Sequence, residues 1–92
     1  MDAELDSVFA ALSDPTRRRI VELVASREPR TTKQLAAMFP FTRWAVMKHL
    51  AVLRDARLIQ TLPQGRRRLH FVDRRVLAAP AEWLASQGKP SG

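Results

Sequence analysis

Arg43, Trp44, Met47 and Lys48 fall in the run Thr42-Arg43-Trp44-Ala45-Val46-Met47-Lys48-His49-Leu50, a spacing that gathers their side chains on one side of an α-helix. That side carries the contacts a helix makes when it lies in a DNA major groove. Arg43 can donate bidentately to guanine, Lys48 can reach a base or a phosphate, and Trp44 and Met47 can press on thymine methyls or sugars. The plainer alternative for the run is a solvated helix face; for Trp44, which would cost solubility if exposed unless it met something, the competing reading is burial. His49 stands at the boundary of the two faces, where it can donate to a phosphate or satisfy a polar group beside the core.

A second set of donors follows a turn. Arg66, Arg67 and Arg68 come directly after Gly65, so their guanidinium groups extend from a loop tip and suit DNA backbone or minor-groove contact. The alternative is a solvated loop. Arg17, Arg18 and Arg19 form a further run, with Arg17 a candidate phosphate contact and ordinary surface charge the competing reading. Across the chain 16 Lys and Arg face 9 Asp and Glu, a formal charge of +7 at pH 7. Such a surplus favours a polyanion, either nucleic acid or an acidic membrane surface.

Other chemistry is poorly provided for. There is no Cys, and the 2 histidines, His49 and His70, belong to different elements without metal-ligand spacing to Asp or Glu. No Gly-rich phosphate loop and no serine, histidine and carboxylate grouping occurs, and Glu22 and Glu28 read as surface charges. Neither an enzyme, a metal site nor a cofactor is expected. The missing Cys fits a reducing cytoplasm, residues 1–7 are acidic, and no apolar run approaches the roughly 18 residues of a membrane span. The expectation is a cytoplasmic protein with no membrane partner.

These side chains need elements to hold them. The 92 residues allow one domain, expected over residues 1–87, with a disordered tail at 88–92. Leu5, Val8, Phe9 and Leu12 make one apolar stripe of a first helix. Asp14 followed by Pro15 starts a second, with Ile20, Leu23 and Val24 as its buried face. Glu28-Pro29-Arg30 breaks it, and Thr31 with Gln34 has capping-box spacing for a third helix carrying Leu35, Met38 and Phe39. Pro40 forces a turn before Thr42 caps a fourth, whose Val46, Leu50 and Leu53 face inward.

Two short β-type segments, residues 58–62 and 68–72, flank the turn signal Pro63-Gln64-Gly65 and predict a hairpin with a basic tip. Asp73 can cap a last helix, but Pro80 places its regular part from near Ala79, with Pro80 in the first turn and Val76, Leu77, Trp83 and Leu84 as its apolar residues. The fold class is therefore mainly α with a small β-hairpin. About five helices and a two-stranded wing form a winged helix-turn-helix.

The stretch Val8-Phe9-Ala10-Ala11-Leu12-Ser13-Asp14-Pro15-Thr16-Arg17-Arg18-Arg19-Ile20 resembles the opening signature of ArsR/SmtB-family winged-helix repressors, most specifically in Asp14-Pro15-Thr16-Arg17. The likeness continues through Gln34-Leu35-Ala36, Val46, Lys48-His49-Leu50, Val52-Leu53 and the Arg-rich hairpin. It implies a sequence-specific repressor that binds double-stranded DNA at an inverted-repeat operator as a homodimer, with first and last helices packed across a two-fold axis. By that resemblance Leu5, Val8, Phe9, Leu12, Trp83 and Leu84 are interface candidates, or else they complete the monomer core.

Departures from the family pattern are informative. Metal-sensing members carry a Cys motif on the third helix, where this chain reads Arg30-Thr31-Thr32-Lys33-Gln34-Leu35, and the region from Asp73 to Glu82 offers arginines and no His for the family's second metal site. No metal is expected, and no inducer is named by the sequence. Pro40 and Arg57 occupy turns where Gly is usual, and because a non-Gly residue at positive φ costs on the order of 1 kcal/mol those turns are expected to be shaped differently. Trp44 and Met47 replace small polar residues. The same apolar pair would suit a winged-helix module that binds a protein instead.

Overall fold

The computed structural model describes residues 2–88; the expected tail from 89 onward lies outside them. Each helix begins where a side-chain oxygen satisfies the first free N–H groups. Asp2 accepts from Glu4 and Leu5 at the start of α1 (Ala3–Leu12). Asp14 accepts from Arg17 N–H at 3.0 Å, and Pro15 opens α2 (Pro15–Ser26). The chain then forms β1 (Arg30–Thr31) and α3 (Thr32–Ala36). At that junction Thr31 Oγ1 accepts from Gln34 N–H at 3.1 Å, while Gln34 Oε1 accepts from Thr31 N–H at 2.9 Å. Thr42 caps α4 (Arg43–Asp55) through Ala45 N–H.

The hairpin consists of β2 (Ile59–Gln64) and β3 (Arg67–Val72), antiparallel, with Ile59 opposite Val72 and Gln64 opposite Arg67. Its two-residue turn has Gly65 at φ 60°, a value that glycine adopts without the Cβ penalty. The sheet has three strands, in the order β1-β3-β2, rather than the two expected. Arg30 and Thr31 pair with His70 and Leu69, and a strand so short leaves no period for a sequence reading to find. Pro63, read as part of the turn, lies within β2 opposite Arg68; β2 is the edge strand, where a missing N–H is tolerated.

Two helical boundaries also differ from expectation. α3 ends at Ala36, so Met38 and Phe39 lie beyond it, with Met38 exposed and Phe39 stacked on Phe41 at a centroid distance of 5.5 Å. α5 (Arg74–Gln87) begins well before Ala79 and runs through Pro80. Its first turn is secured by Asp73 Oδ1, which accepts from the N–H groups of Arg75 and Val76, and by packing on α1. Pro80 removes only the bond its N–H would have donated to Val76.

The core lies where α2, α3 and α4 meet the sheet. Ile20, Val24, Leu35, Val46, Leu50, Leu53 and Leu58 are completely or almost completely buried, and each large aliphatic side chain so buried contributes about 1.5–3 kcal/mol. Leu5 and Val8 are also buried within the protomer. Of the two readings of these residues, their burial accords with completion of the protomer core. α4 stops in a tight turn in which Arg57 N–H donates to the Arg54 carbonyl at 2.9 Å and Leu58 N–H to the Leu53 carbonyl at 3.0 Å. This requires a left-handed residue between them, and Arg57 takes φ 63°.

Candidate nucleic-acid interface

α4 is anchored by Val46, Leu50 and Leu53 in the core, which fixes the rotation of the helix and turns its other side outward. On that side Arg43, Trp44, Met47 and Lys48 are exposed, Trp44 at 66% and Met47 at 47%. Burial of Trp44 is therefore ruled out. Lys48 Nζ sits 4.4 Å from the Trp44 ring centroid, one helical turn along, in a cation–π contact of about 0.5–1 kcal/mol at an exposed site.

Beside this helix runs a groove of about 400 Å³, lined by Thr31, Thr32, Lys33, Gln34, Arg43 and the three wing residues Arg66, Arg67 and Arg68. The lining carries cations and no carboxylate. Arg67 donates to Gln64 Oε1 at 2.6 Å, which steadies one guanidinium on the hairpin. Recognition-helix and wing donors expected separately thus share a wall. Lys33 joins them without having been expected. Its signal was available, because capping by Thr31 puts Lys33 in the first turn of α3, the helix immediately before the recognition helix.

The wing is tied to the helix pair by His70 on β3. Its side chain is fully buried, with Nε2 2.8 Å from Thr32 Oγ1 at the start of α3 and Nδ1 2.9 Å from Thr61 Oγ1 on β2. Burial, with the charges of Arg54 and Arg68 adding, pushes the imidazole pKa down from 6.5 to about 4. His70 is accordingly neutral, with both ring nitrogens engaged. A similar bracket closes the other end of β3, where Glu28 Oε1 accepts from Val72 N–H at 3.1 Å and lies 3.4 Å from Arg74. Glu28 is thus a structural carboxylate.

Other expected contacts have local partners. Arg17 Nε donates to the Ala11 carbonyl at 2.7 Å and its Nη2 to Ala10 at 3.3 Å, while Arg18 donates to Leu12 at 2.7 Å. These guanidiniums satisfy the free carbonyls at the end of α1, which gives Arg17 a structural task. His49, partly buried, has Nδ1 4.0 Å from Asp14 Oδ2, so it meets a polar group beside the core. The backbone bond from Arg17 holds the Asp14 carboxyl below its usual range, with the charges of Arg17 and His49 contributing.

Elsewhere, α1 and α5 frame an open cleft of about 520 Å³ whose apolar lining includes Leu5, Val8, Val76, Ala79 and Trp83. Phe9 meets Trp83 edge to face at 5.8 Å. Trp83 is 36% and Leu84 58% exposed, and Leu12 packs partly buried against the core. Neither end of the domain fits a metal. Thr31, Thr32 and Lys33 serve as cap, His70 partner and cation on α3, Asp73 caps α5, and no cluster of three potential ligands occurs among the described residues. None of the described helices is long and apolar enough to cross a membrane.

A helix-turn-helix with an exposed second helix, flanked by an arginine-tipped hairpin, defines a winged helix-turn-helix DNA-binding protein. The helix-turn-helix domain family matches residues 12–61. The HTH-type transcriptional regulator Rv2034 of Mycobacterium tuberculosis is 45% identical over 74 residues, which cover 80% of this chain and 68% of that protein. The crystal structure of an ArsR family transcriptional regulator superposes with a TM-score of 0.84 at 38% identity, covering 92% of this chain and 87% of that one. The solution structure of a homodimeric winged helix-turn-helix DNA-binding domain from Mycobacterium bovis shares the fold, with a TM-score of 0.76 at 20% identity and coverage of 96% and 83%. The chain belongs to the ArsR family of helix-turn-helix transcriptional regulators, a family of DNA-binding proteins and not of enzymes.

Proposed function

We propose that this regulator is a repressor that binds an inverted-repeat operator as a homodimer and blocks transcription by occupying the promoter. One observation carries the reading: the exposed face of α4 and the carboxylate-free groove beside it put base-reading and phosphate-binding donors on one surface. Arg43, Trp44, Met47 and Lys48 read bases, Thr42 fixes the helix start, and Arg66, Arg67, Arg68 and Lys33 hold phosphates. Released counterions supply affinity, and base contacts supply choice. His49 and Arg17 support the α2 end of this surface through Asp14 and the α1 carbonyls.

For the dimer, Phe9, Leu12, Trp83 and Leu84 form the contact between protomers, over the apolar cleft between α1 and α5. That a domain of the same fold is homodimeric supports a dimer, without bearing on which face pairs. A two-fold axis through that face would present the α4 helices to major grooves about 34 Å apart. Release does not run through a thiolate metal site, because the chain has no Cys.

Selection of bound sequences from random double-stranded DNA tests the proposal. An enriched inverted repeat with half-sites about one helical turn apart is expected, and an enriched single half-site would contradict the dimer. Exposed Met38, Phe41, Trp44 and Met47 favour a second reading, a protein-binding surface. Absence of any enriched sequence at low salt would favour that reading over the operator.

A further inference from the structure

Trp44 is the one large aromatic ring on the outward side of α4, and it is more exposed than Met38, Phe41 or Met47. Its neighbours on that side are Arg43, Met47 and Lys48, with Lys48 Nζ held 4.4 Å from the ring centroid. The ammonium covers part of one ring face. An apolar plane therefore stands among cations, on the surface read here as facing DNA. Among the edges that base pairs present in the major groove, thymine alone offers a protruding apolar group, its C5-methyl.

We infer that Trp44, seconded by Met47, is a specificity-determining residue that reads a thymine methyl in each half-site, while Lys48, parked on the ring, donates to an adjacent acceptor. The inference rests on the operator-binding reading above and deepens it. It also accounts for the ring itself: a solvated Trp44 costs solubility, whereas an indole closed over a methyl buries apolar area.

Deoxyuridine separates this from every hydrogen-bonding explanation, because it lacks only the methyl. Using the full chain and its selected operator, each thymine is replaced in turn by deoxyuridine and the dissociation constant is measured. At one thymine in each half-site the wild type should bind about fourfold more weakly, the value of one buried methyl-sized group. At that same position Trp44→Ala should bind thymine and deoxyuridine DNA equally. Trp44→Gln, which keeps polarity and reach without the ring, should behave the same and is read at lower salt if Trp44→Ala binds too weakly. Both variants should melt like the wild type, because Trp44 lies outside the core. Wild-type indifference to deoxyuridine at every thymine, or full discrimination retained by both variants, would overturn the inference and leave the operator reading intact. Failure of the wild type to select any sequence would overturn both.

Discussion

His70 and Arg57 show how single side chains set the conditions under which the binding surface exists. His70 is neutral when folded, with a pKa of about 4, and protonates near 6.5 when unfolded, so between those values the unfolded chain binds the extra proton. Stability should fall as pH drops from about 6.5 to about 4, by roughly 3 kcal/mol in total, and this contribution should be flat below that. Chemical denaturation of wild type and His70→Asn across that window checks it: the variant, lacking the titrating ring, should lose the slope. Asp14, whose carboxyl is held low, acts in the same direction but only below 3.8. Arg57 at φ 63° is strained where glycine would not be, and its ion pair with Glu4 at 3.6 Å is exposed and worth little. Arg57→Gly should therefore raise stability by up to about 1 kcal/mol, read as a higher denaturation midpoint. The sequence pointed the other way at Arg57, where a non-glycine residue argued for a differently shaped turn; the structure keeps the left-handed conformation that glycine would take. The His70 bracket was not legible in the sequence, since its partners Thr32 and Thr61 are distant in the chain and a lone histidine carries no spacing to read.

At the scale of elements, the caps were the most legible features: Asp14 with Pro15, Thr31 with Gln34, Thr42 and Asp73 each mark a helix start that the structure contains. Inward Val46, Leu50 and Leu53 likewise placed Trp44 and Lys48 outside. Reading failed where tertiary contacts overrode local rules. Pro80 argued for a late start of α5, but the double cap from Asp73 and the packing on α1 carry the helix past it. Pro80→Ala should restore the missing bond and stabilise the protein by about 1–3 kcal/mol, measurable by thermal melting. β1 escaped notice because its pairing with β3 is a long-range event. Lys33 was placed by the Thr31 cap in the first turn of α3, but its position beside Arg66, Arg67 and Arg68 follows from how the wing folds.

For the whole molecule, the proposal assigns separate surfaces to its two parts: donors on α4 and the wing, apolar side chains on α1 and α5. Leu5 and Val8 belong to the protomer core, which leaves Phe9, Leu12, Trp83 and Leu84 for the proposed contact between copies. Leu84→Glu should shift the protein to monomer in sedimentation and weaken operator binding by 10²-fold or more, as linked half-site binding is lost, while changing the melting of the protomer little. A basic chain with no Cys and a helix-turn-helix pattern left few other roles open, so the class of function was readable from composition and motif together. The groove that joins helix and wing was not, because it exists only in three dimensions.

The most direct measurement compares wild type, Arg43→Ala and Arg67→Ala for binding to the selected operator and to random DNA over a range of salt. Arg43→Ala should lose about 1–3 kcal/mol on the operator and much less on random DNA, so that specificity relaxes. Arg67→Ala should weaken both DNAs alike and reduce the salt slope by about 1. Variants that both bind as the wild type does, with specificity and slope unchanged, would contradict the assignment of base reading to α4 and phosphate binding to the wing.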